Sequence, residues 1–210
     1  MSIRTDMAAE SFSQAGGAEK LQGVKVKNKV IENARLEVTD ITIETQEAAE
    51  KLGRPVGRYI TLTATDSTFD MYSDSFRERA EVIAKAIGEL CGGCERFLAV
   101  GLGNYALTSD AVGPLTAEKI FATRHIKSLA KEIDTDDLGE VTVIQTGVLG
   151  NTGIESSEQV KAIAERVTPQ AVIAVDALAC SELTNLGRTI QLCNTGISPG
   201  SGVENARKEL

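Results

Sequence analysis

Hydrophobic positions along the chain change period several times, and each change marks an element. Over residues 24–45 the apolar residues Val24, Val26, Val30, Leu36, Val38, Ile41 and Ile43 partly alternate with polar ones. This predicts two antiparallel strands turning around Glu32-Asn33. A short helix over 46–52, stopped by Gly53, and a strand over 58–64 follow, the hairpin lying at the edge of a main sheet. Over 74–90, Phe76, Ala80, Ile83, Ala84, Ile87 and Leu90 recur at helical spacing with charged residues between them, which predicts an amphipathic helix. A buried strand over 97–102 leads to a helix over 111–130, with Pro114 tolerated in its first turn. A strand over 141–146 comes next, then a helix to about Val167 whose Thr152 and Glu155 have capping-box spacing and which Pro169 ends. Apolar strands over 171–176 and 189–193 complete the series. The alternation of strand and helix predicts an α/β fold: three layers, a mostly parallel sheet with helices on both faces, and an N-terminal β-hairpin. Residues 1–22 are polar and read as a flexible N-terminal arm, leaving 23–210 as a single α/β domain.

Composition narrows the function. A chain of 210 residues with 42% hydrophobic content supports a sizeable core. A formal net charge of -8, no Trp and 4% aromatic residues argue against direct nucleic-acid binding, which wants basic surfaces and stacking platforms. No apolar run approaches the roughly 20 residues that span a bilayer, and the first residues lack the apolar core of a secretion signal, so no membrane association and a cytoplasmic location are expected. Cys91, Cys94, Cys180 and Cys193 are then expected as reduced thiols. Cys91-Gly-Gly-Cys94 has no second pair at similar spacing to complete a zinc site and reads as a glycine-containing helix exit.

Candidate chemistry gathers around residues 98–114, LAVGLGNYALTSDAVGP. Asp110 lies in the loop after one predicted strand and Asp176 ends another. Parallel strands carry their carboxyl ends to one edge, so the two carboxylates meet if the strands are neighbours. A close pair sharing one proton can activate water and protonate a leaving amide. Taken singly, Asp110 also reads as a helix cap and Asp176 as an acceptor for a neighbouring loop. Gly101-Leu102-Gly103-Asn104-Tyr105-Ala106 loosely fits a dinucleotide pattern, but Pro114 places the helix start too late for it. The sole histidine, His125, falls inside a predicted helix, so no Ser-His-Asp triad is available from this chain alone. The glycine loops 147–153 and 196–202, with Gly147, Gly150, Gly153 and Gly200, are candidates to offer backbone amides to a substrate or an oxyanion.

A set of segments resembles the germination protease family of spore-forming bacteria. It comprises Arg4-Thr5-Asp6-Met7-Ala8, Gly57-Arg58-Tyr59-Ile60-Thr61, Gly101-Leu102-Gly103-Asn104 with residues 108–114, and Thr123-Arg124-His125. Gly147-Val148-Leu149-Gly150, Thr152-Gly153-Ile154-Glu155, Val175-Asp176-Ala177-Leu178-Ala179, Thr189-Ile190-Gln191 and Thr195-Gly196-Ile197 with 198–203 continue it in order. The resemblance implies a phosphorylase/hydrolase-like fold related to hydrogenase-maturation proteases. It also implies an endopeptidase of the spore core that degrades small acid-soluble spore proteins at germination, is made as a zymogen and associates as a homotetramer. The family's two essential aspartates match Asp110 and Asp176, with an aspartic-type mechanism and no cofactor favoured over metal held by the same carboxylates. A nucleotide-binding module using residues 101–106 and an inactive fragment are the other readings. Three departures stand out. Only Met1, Ser2 and Ile3 precede Arg-Thr-Asp where the family has a prosegment, Cys91 to Cys94 is outside the pattern, and the family continues beyond Leu210, so a truncated chain is expected.

Overall fold

Along the chain the elements are α1 (Ala8–Gln14), β1 (Val24–Ile31), β2 (Leu36–Ile43), α2 (Gln46–Leu52), β3 (Gly57–Ala64), α3 (Phe76–Cys91) and β4 (Arg96–Leu102). Then come α4 (Val112–Lys119), α5 (Arg124–Leu129), β5 (Glu140–Gly147), the single turn α6 (Leu149–Thr152), α7 (Ser156–Val167), β6 (Ala171–Val175) and β7 (Thr189–Cys193). The computed structural model describes residues 5–16, 22–66, 68–129, 135 and 138–197. The chain divides into two units, residues 1–92 with 178–195 and residues 93–177 with 196–210.

The first unit holds a four-stranded sheet in the order β1-β2-β3-β7, antiparallel throughout. Its hairpin turns through a 3-10 turn at Glu32–Ala34, with Arg35 in the left-handed region at φ 48°. One face carries Ile41, Ile43 and Tyr59 against Ala8 of α1 and Ala48, Ala49 and Leu52 of α2. The other carries Val38, Ile60 and Leu62 against Ala86, Val82 and Ile83 of α3. Because both faces are covered, β3 is buried continuously from Tyr59 to Leu62, the polar Thr61 included.

The second unit holds three parallel strands in the order β5-β4-β6. Leu98, Val100 and Leu102 face Val160 and Ile163 of α7. On the opposite face, Gly101 lies against Gly113 and Ala117 of α4. This is the helix-covered parallel sheet the alternation of elements predicts, at the scale of three strands.

Four expectations change. The strands form two sheets rather than one mostly parallel sheet with an edge hairpin, because β3 pairs with β2 on one side and β7 on the other. The supposed N-terminal arm contains α1, whose start is fixed by Met7 and Ala8, both buried. The helix expected over 111–130 is two helices, broken where Thr123 bonds to β5: its N–H donates to Val141 O at 3.0 Å. Its buried hydroxyl donates to Gly139 O at 2.5 Å and accepts from Val141 N at 2.9 Å. The capping box does not form, since Thr152 belongs to α6 and α7 is capped at Glu155 without a side-chain hydrogen bond. Thr152 Oγ1 instead accepts from Ile154 N at 3.2 Å, closing the turn between α6 and α7.

Candidate functional site

The second unit's strand order places β4 between β5 and β6, so the loops after all three strands leave one sheet edge. In register, Leu102 stands beside Gly147 and Gly101 beside Val175. Asp110 and Asp176 therefore follow the carboxyl ends of adjacent parallel strands, the location where α/β sheets collect ligands and catalytic groups.

Asp110 is aimed by a loop that closes on itself. Asn104 N–H donates to Asp110 Oδ2 at 2.8 Å and to the Asp110 carbonyl at 3.1 Å. Asn104 Oδ1 accepts from Ala106 N at 3.0 Å, and Asp110 N–H donates to Leu107 O at 2.9 Å. Gly103, at φ 110°, starts the turn, and a Cβ there would lie within 3.0 Å of the Asp110 carbonyl and carboxylate oxygens. Only glycine fits.

Gly113, in the first turn of α4, makes the second close approach. A Cβ on it would run into the backbone oxygens of Leu102 and Val175, the last residues of β4 and β6. The start of α4 is thus seated across both strand ends, with Asp110 just ahead of it and Asp176 next after Val175. Gln145 of β5 ties α4 down from the third strand, its Nε2 donating to Pro114 O at 3.1 Å. Both aspartates are half-buried, and Asp176 Oδ1 accepts from Ala177 N at 2.8 Å.

Gly147 ends β5 at φ 68° and opens on the same edge. Gly150 lies within α6 and Gly153 closes it at φ 71°, both exposed. The loop's far end is held where Ser156 Oγ donates to Gly147 O at 3.3 Å and Thr146 Oγ1 donates to Ser156 Oγ at 3.1 Å. Gly200, the fourth candidate glycine, lies outside the described residues.

His125 sits at the other end of the sheet. Its neighbours bond to the start of β5, Thr123 to Val141 and Arg124 Nε to Glu140 at 3.3 Å. That is roughly 20 Å of strand, at about 3.3 Å per residue, from the edge carrying Asp110 and Asp176. Among the described residues, no three His, Cys, Asp or Glu side chains gather as a group able to hold a metal ion. Gly92 and Gly93, at φ 57° and 81°, make the stretch after Cys91 a helix exit. The dinucleotide pattern is not formed: Gly101 and Gly103 serve contacts inside the fold, and the helix opens only at Val112. Among the described residues, no helix is long and apolar enough to cross a membrane.

Sequence reading did not single out Asn104 or Gly113. The available signal for Gly113 is a poor helix former placed immediately before Pro114, where no turn needs it.

The model of the germination protease family matches residues 3–210. The chain is 38% identical to a germination protease of Clostridium perfringens over 213 residues, covering 99% of this chain and 65% of that protein. It is 38% identical to one of Clostridium tetani over 216 residues, covering 100% and 65%, and 39% identical to one of Caldanaerobacter subterraneus over 212 residues, covering 100% and 64%. The chain thus spans a little under two thirds of the length of these curated relatives. With a family model matched along nearly its whole length and relatives at this identity, the chain belongs to the germination protease family.

Proposed function

We propose that the chain is an endopeptidase acting on small acid-soluble spore proteins, with Asp110 and Asp176 as its acid-base pair. The observation that carries this reading is the seating of Gly113 against the ends of both β4 and β6, with an aspartate beside each end. The nucleophile is water. The ionised aspartate takes the water's proton as oxygen attacks the scissile carbonyl carbon, and the protonated partner polarises the carbonyl oxygen. The resulting tetrahedral species breaks at C–N as the amine leaves with the transferred proton. Backbone amides of the loop from Gly147 to Gly153 offer donors to the substrate backbone or the developing oxyanion. The kinship with hydrogenase-maturation proteases, zymogen synthesis, homotetramer formation and a place in the spore core belong to the same reading.

Incubating the protein with a purified small acid-soluble spore protein, and identifying products by mass spectrometry, tests it. Internal cleavage is expected, and Asp110→Asn and Asp176→Asn should each lower kcat by at least about 10³-fold with unchanged circular dichroism. Full activity in either variant would sink the pair.

A further inference from the structure

Glu10 of α1 is a buried carboxylate, 6% exposed, that the catalytic proposal does not use. Its Oε2 accepts from Ser181 N at 2.9 Å and Ser181 Oγ at 2.6 Å. Its Oε1 accepts from Asn185 Nδ2 at 2.6 Å and, more weakly, Glu182 N at 3.4 Å. Both oxygens thus accept from one short segment of the same unit, residues 181–185, and Thr5 adds a further side-chain hydrogen bond to the carboxylate.

That segment has little else to order it. No residue from 178 to 186 is buried, and Leu183 and Leu186 point to solvent at 87% and 64% exposure. Its own hydrogen bonds are local: Asn185 N to Glu182 O, Leu186 N to Leu183 O, Arg188 N to Asn185 O and Thr184 Oγ1 to Glu182 Oε2 at 3.4 Å. The N-terminal segment that supplies Glu10 is, by contrast, well anchored. Ala8 N–H donates to Gln191 Oε1 at 2.6 Å, Gln191 Nε2 donates to Asp6 O at 3.1 Å, and Arg54 Nη2 donates to Thr5 O at 2.5 Å. Asp6 N–H adds a further hold on the segment, at Ala179 O and 2.9 Å.

We propose that Glu10 is what orders the segment 178–186: from α1 it clamps a stretch that buries no residue of its own. A carboxylate suits the task because ionised acceptors make the stronger hydrogen bonds and can gather several donors at once.

Hydrogen exchange on the 210-residue chain tests the clamp without reference to activity. Glu10→Ala should speed exchange at the Ser181 and Glu182 amides by at least about tenfold while the amides of β2 and β3 keep their protection. Unchanged protection at 181 and 182 overturns the proposal. If Glu10→Ala fails to fold, Glu10→Gln, which keeps size and one acceptor, is read in the same way.

Discussion

Two glycines and a glutamate show how much single residues decide here. Gly103→Ala puts a side chain at φ 110° and against the Asp110 backbone; Gly113→Ala puts one against two strand carbonyls that have no room to retreat. Each is expected to destabilise by about 1–3 kcal/mol and to lower cleavage more than stability loss alone explains, as thermal unfolding alongside the cleavage assay will show. Glu10 gives a pH prediction. Burial raises its pKa, but hydrogen bonds from Ser181, Thr5 and Asn185 outweigh that and bring it from 4.5 down to about 2. A carboxylate depressed in the folded state stabilises fully above its unfolded value and loses that contribution as pH falls toward the folded one. The stability difference between wild type and Glu10→Gln in urea unfolding should therefore hold to about pH 5 and shrink between pH 4.5 and 2. At this scale the placement of Asp110 and Asp176 after the ends of adjacent strands was legible, because strand ends mark themselves in sequence. Glu10 was not, because its partners lie some 170 positions away.

Elements were legible where a local rule governs them. The αL Gly53 ends α2 and the αL Gly92 follows α3, and β7 falls on the predicted residues. Apolar periodicity also gave the right strands for both sheets. It could not give their partners: nothing in Thr189–Cys193 announces that it pairs with β3. The break between α4 and α5 was hidden for the same reason, since Thr123 leaves the helix to satisfy bonds with Gly139 and Val141. Thr123→Val, which keeps shape and removes the hydroxyl, should leave the Val141 N–H and Gly139 carbonyl short of partners and cost about 1–3 kcal/mol. Chemical denaturation would measure it; a neutral result would mean that backbone pairing alone makes the break.

At the scale of the molecule, each unit owns a sheet with helices on both faces, and the candidate aspartates share one of them. Sequence did not mark that division, because each unit is made of two separate stretches: residues 178–195 return to the first after 93–177 have gone to the second, and 196–210 go back to the second. With the two carboxylates proposed to activate water, cleavage should survive exhaustive chelation; loss restored by a divalent cation would reassign them to metal binding. If Asp110 and Asp176 work as one unit, as proposed, their removal is strongly non-additive. The most direct measurement is a double-mutant cycle on kcat with a small acid-soluble spore protein as substrate. Asp110→Asn/Asp176→Asn is expected to be about as slow as either single variant; independent, multiplying losses, or a single variant that keeps full turnover, would overturn the pair.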